Sequence, residues 1–96
     1  MSQERANIYA EKLYTDEAFL REVCRHGGFK KGASDEEKNA LALKAASEMG
    51  YEMTQEEYVK ASENFFQGKG VFEAIKIFRH MNKVIKSETK KMKKGQ

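Results

Sequence analysis

The chain has no proline and no tryptophan, a single cysteine and two histidines. Each shortage excludes something. Proline is the strongest helix breaker, so its absence leaves long helices unopposed. One thiol, Cys24, rules out an internal disulfide. No apolar run approaches the roughly 20 residues that span a bilayer. The opening segment MSQERANIYAEKL carries Glu4 and Arg5 and lacks the apolar stretch of a secretory signal, so the cytoplasm is the expected compartment.

What remains is a chain of 96 residues, the size of one domain with one modest core. Glutamate, lysine, alanine, leucine and methionine are plentiful, and all favour helix. An all-α fold is expected. The net charge of +3 conceals an asymmetry: residues 83–96 hold Lys83, Lys86, Lys90, Lys91, Lys93 and Lys94 against Glu88, for +5, so the rest of the chain sums to −2. The body is slightly acidic, and the basic character sits at the C-terminal end.

Punctuation divides the chain into amphipathic segments. Residues 3–14 place Ala6, Ile8, Tyr9 and Leu13 at helical spacing. Thr15 and Asp16 offer a cap to a second helix, which runs to about His26 with Phe19, Leu20, Val23 and Cys24 as its apolar stripe. Gly27 and Gly28 end it, and GGFKKGA reads as a loop. Ser34 and Glu37 form a capping box for a third helix, whose inward face is Leu41, Ala42, Ala45 and Met49. Gly50 suits the left-handed position that closes it, with Tyr51 and Met53 folding back onto the core.

Thr54 and Glu57 are a second capping box, opening a fourth helix that presents Tyr58, Ser62, Phe65 and Phe66. Gly68 and Gly70 end that helix. A fifth, from about Val71 to Lys86, carries Val71, Ile75, Phe78, Met81 and Ile85 on one stripe, widened by Phe72, Ile77 and Val84. So wide an apolar sector closes the core or forms a docking seam. Beyond Lys86 the spacing predicts a frayed, charged end.

Two blocks, YAEKLYTDEAFLREV and ALALKAASEMGYEMTQEEY, resemble the nif-eleven-like domain, a leader-peptide family first noted in nitrogen-fixing bacteria. The matching residues are Asp16 to Leu20, with one extra residue in the spacing, then Ala46, Gly50, Tyr51, Met53, Thr54, Glu56 and Glu57. The resemblance covers roughly residues 5 to 62. It implies a helical leader gripped by a peptide-modifying enzyme that works on a core peptide behind it. The chain departs from a precursor in three respects. RHGGFKKGASDEEKN looks like an insertion. The double glycine, Gly27-Gly28, lies inside the domain rather than at a leader boundary. After Phe66 there is no cysteine, and Ser87 and Thr89 are the hydroxyl candidates. A stand-alone recognition domain suits this pattern better.

Chemistry finds little purchase. Cys24 and His26 stand two apart, which on a helix points them away from each other. Glu22 and His26 could share a ligand, but zinc wants three or four, and His80 is the only further imidazole. A nucleophile, a base and an orienting group do not assemble from these residues, so neither catalysis nor a cofactor is expected. Gly68-Lys69-Gly70 lacks the further spacing of a phosphate loop. A helix-turn-helix around Gly50 would aim Gln55, Glu56 and Glu57 at phosphates, and adjacent acids there repel.

The expected architecture is a compact bundle of about five short helices over residues 1–86 with a flexible lysine-rich tail at 87–96. The expected role is a non-catalytic protein-binding module. Its partner would be a peptide-modifying enzyme or a second copy, held through Tyr58, Phe65, Phe66, Phe72, Ile77 and Met81 on the last two helices. Two alternatives stand beside it. One is a precursor with residues 1–70 as leader and 71–96 as a cationic product. The other is a protein that binds nucleic acid, phosphates or anionic membrane through the six C-terminal lysines.

Overall fold

The computed structural model describes residues 3–29, 32 and 34–94, with the side chains of 92–94 outside the description. These residues form five helices and, among the described residues, no strand: α1 (Gln3–Thr15), α2 (Glu17–Arg25), α3 (Asp35–Glu48), α4 (Gln55–Phe66) and α5 (Val71–Lys94).

Local chemistry sets most of the boundaries. Asp16 caps α2, its carboxylate accepting from the Phe19 amide at 3.2 Å. Ser34 caps α3 by accepting from the Glu37 amide, and its hydroxyl donates to the Glu37 carboxylate. Thr54 and Glu57 make a complete reciprocal box at α4, each side chain accepting from the other's amide at 3.1 and 2.9 Å.

The stop at Gly50 is a Schellman turn: φ is +90°, the Gly50 amide donates to Ser47 and the Tyr51 amide to Ala46. The same pair of bonds recurs at the end of α2, from Gly27 to Cys24 and from Gly28 to Val23. Gly28 has a second constraint. A Cβ there would run into Val23, lying 2.8 Å from its carbonyl oxygen and closer still to its side chain, and would sit 3.1 Å from Ala45 Cβ of α3, so glycine is what fits this turn.

α1 is the hub, lying against α4 on one side and α2 on the other. Ala6 and Ala10 of α1 meet Ala61 of α4, small residues that let the two backbones approach. The main core gathers Tyr9, Leu13, Leu20, Val23, Cys24, Ala42, Ala45 and Ala46, with Tyr58, Met81 and Val84 from the later helices. Tyr9 is its centre. Its ring lies 5.6 Å from both Phe19 and Tyr51, and its hydroxyl donates to the Ala42 carbonyl. Tyr51 and Met53 do fold back onto the core. On α3 the inward face includes Ala46 and is flanked by Leu43, whereas Leu41 is half-buried.

α5 departs most from expectation. It continues through residues 87–94 instead of releasing a tail at Lys86. Its first two turns are also poorly covered: Val71 and Phe72 are 73% and 83% exposed and Ile75 and Phe78 are partly in water, while Ile77 is half-buried against the core. The cause is a mismatch of lengths. α5 packs chiefly against α2. At 1.5 Å per residue, α2 is about 14 Å long and α5 about 36 Å, so α2 covers less than half of it. The covered part is the later one, where Met81 and Val84 are buried.

Glu88 fixes that later part. It is the one buried charged side chain among the described residues, 2% exposed. Its carboxylate accepts from Arg21 at 3.0 Å, with Arg25 at 3.7 Å and Lys91 at 3.9 Å. The hydrogen bond from Arg21 holds the Glu88 carboxyl below its ordinary range, against the opposing effect of burial.

Candidate functional site

α4 packs on α1 and α5 packs on α2, so the last two helices diverge and leave a cleft of about 700 Å³ between them. α4 supplies Tyr58, Val59, Ser62 and Glu63 to its wall, and α5 supplies Phe78, Met81, Asn82, Ile85, Lys86 and Thr89. Phe29, Asp35, Lys38 and Asn39 close the third side. The deep part is apolar and the rim carries both signs of charge, an arrangement suited to an amphipathic ligand rather than an ion.

One end of the cleft is closed by an aromatic cluster. Tyr14 stacks on Phe65 at 5.0 Å and meets Phe66 edge-on at 4.8 Å, while Phe66 stacks on Phe78 at 5.1 Å. The Tyr14 hydroxyl shares a hydrogen bond with Ser62, and Lys69 Nζ sits 4.1 Å from the centre of the Phe65 ring. This cluster is what ties α5 to α4 where their backbones part.

The six residues expected to form one binding surface are scattered over three environments. Tyr58 and Met81 are core residues that face the cleft from its floor. Burial pushes the Tyr58 hydroxyl above its ordinary range. Ile77 is half-buried against the core, and Phe65 and Phe66 are half-buried in the aromatic cluster. Phe72 alone is freely exposed. This distribution has a physical cause. Helical periodicity tells which residues share a face, but not which neighbour covers the face at each turn. Val59 and Phe78, exposed on the cleft walls, were not among the six.

Of the basic residues, Lys83, Lys86 and Lys90 lie exposed along α5, Lys91 reaches Glu88, and the side chains of Lys93 and Lys94 lie outside the described residues. Lys30 and Lys31, of the stretch GGFKKGA, also lie outside them.

The residues with chemical potential are dispersed. Cys24 is buried, and burial pushes its thiol up to about 11. His26 caps α2 and pairs with Glu48 at 3.1 Å, while His80 of α5 pairs with Glu17 of α2 at 3.3 Å. Glu22 turns to Arg25 rather than His26. Among the described residues no group of three or more histidine, cysteine or acidic side chains could hold a metal, and no helix is long and apolar enough to cross a membrane. Comparison with protein-family models, with curated proteins and with solved structures gives no match for this chain.

Proposed function

We propose that the protein is a small, non-catalytic protein-binding module that works in the cytoplasm, and that its partner inserts a helical or extended segment into the cleft between α4 and α5. The observation that carries this is the cleft itself: an apolar floor at Tyr58 and Met81, with Val59 and Phe78 exposed on opposite walls. An amphipathic segment laid there would cover both walls and meet charges of either sign at the rim. The resemblance to nif-eleven-like leaders suggests a peptide-modifying enzyme as that partner. The non-catalytic part of the proposal is supported by the burial of Cys24 and the separate pairing of the two imidazoles.

The test is affinity capture from the native cells with identification by mass spectrometry. A peptide-modifying enzyme should be retained by the parent chain and lost with Val59→Arg, which sets a charged, bulky group on the cleft wall. Helicity by circular dichroism should be the same for both. Retention unchanged by Val59→Arg, or no such enzyme recovered, overturns the proposal.

The precursor alternative has one observation in its favour: the link at residues 67–70 is largely exposed and would be open to a protease. Cutting there, however, would free α5, which supplies Met81 and Val84 to the core.

A further inference from the structure

α5 has a second surface, which the cleft shares only at Lys86. Phe72, Lys76, Arg79, Lys83, Lys86 and Lys90 follow one another at steps of four and three residues, and all six are exposed. Such steps place side chains in one row along a helix. The row lies on the side of α5 away from Met81, Val84 and Glu88, the residues that anchor the helix to the body. Its five cations make no ion pair among the described residues. From Lys76 to Lys90 they span about 21 Å of helix. At the row's N-terminal end, Phe72 stands 83% exposed, beside Val71 at 73%.

We propose that this outward row of α5 docks the protein on an anionic bilayer, with the helix lying in the plane of the headgroups. Phe72 and Val71 enter the acyl boundary at one end, and the cations sit over lipid phosphates along the rest. The charge pattern selects this occupant. A second copy paired through the same face would set cation against cation. A nucleic-acid duplex would accept the cations but leave the two large apolar side chains without a role, and no further aromatic interleaves the row for stacking on bases. A negative lipid surface satisfies both parts at once. The row and the cleft lie on different sides of α5, apart from Lys86, which contributes to both.

The chain's lack of tryptophan makes the test direct. Phe72→Trp introduces a single reporter at an exposed position. With vesicles of equal parts phosphatidylglycerol and phosphatidylcholine at low salt, the protein should co-sediment. The emission of the new tryptophan should shift to the blue and be quenched by lipids brominated on their acyl chains. Pure phosphatidylcholine should give neither effect. Replacing Arg79 and Lys83 by glutamine should weaken binding roughly fivefold for each cation removed, and added salt should weaken it further. Failure to sediment with anionic vesicles overturns the proposal. So does sedimentation without a blue shift, which would mean the apolar end stays in water. Tighter binding to duplex DNA than to the vesicles at the same salt, with no spectral change, assigns the row to nucleic acid instead.

Discussion

The two halves of α5 invert the usual relation between composition and burial. Its first turns, from Val71 to Phe78, are rich in large apolar side chains, yet Val71 and Phe72 stand in water and Ile75 and Phe78 are only partly covered. Its last turns are rich in lysine and hold a carboxylate almost fully shielded from solvent. Contact with α2 makes the difference: α2 ends after nine residues and can serve only part of its longer neighbour. Burial along this helix follows the reach of the neighbouring element more than the hydropathy of the residue. An apolar run that outlasts its cover becomes surface, and a charge within reach of Arg21 and Arg25 becomes core.

Substitutions in the two halves should therefore have unequal effects. The largest belongs to the covered half. Met81→Ala should cost about 2–5 kcal/mol of unfolding free energy, measured by urea denaturation, because it opens a void in the core. If Met81→Ala costs no more than a surface change, the later half of α5 is not docked.

Glu88→Gln should come next. The carboxyl is held below its ordinary value of 4.5, so its contribution is complete above about that pH and fades as the pH falls through the lower, folded-state value. The parent should lose stability on acidification from pH 6 to 3 more steeply than Glu88→Gln does. Parallel acid profiles for the two proteins would remove Glu88 from its anchoring role.

The smallest effect belongs to the uncovered half. Phe72→Ser should change stability by no more than about 0.5 kcal/mol, as for an ordinary surface site, despite deleting a large aromatic ring. A loss on the scale of Met81→Ala would show that Phe72 is covered in solution.

Element type and most boundaries were legible in the sequence because they depend on chemistry within a few residues. Asp16, Ser34 and Thr54 open helices with their own oxygens, and Gly27 and Gly50 close them with their own backbone angles. The return of Tyr51 to the core was legible for the same reason, since a Schellman turn fixes where the next residue points. The cleft was not legible. It exists because α4 and α5 choose different partners, and that choice depends on how Ala6, Ala10 and Ala61 fit together across the fold. The extension of α5 was hidden by its charge. KSETKKMKK has the composition of a solvated end, and only an arginine pair 63 and 67 residues away in sequence gives Glu88 a reason to turn inward. The exposed start of α5 was hidden as well: Asp16 and Gly27 bracket α2 as a short helix, but nothing local to Val71 says that α2 is the element α5 packs against.

Glu88 has one more consequence. After Glu73 it is the sole acid in α5, and it shares the inward side of the helix with Met81 and Val84, so a charge and two apolar groups agree on the phase of the cylinder. Two positions along a helix correspond to a rotation of about 200°. Were the acid at 90 and the lysine at 88, the carboxylate would stand in water among the outward lysines, an ammonium would face Arg21 and Arg25, and the end of α5 would lose its hold on α2. The compass bearing of the protein's positive charge is thus set by where one carboxylate and two apolar side chains fall in the reading frame.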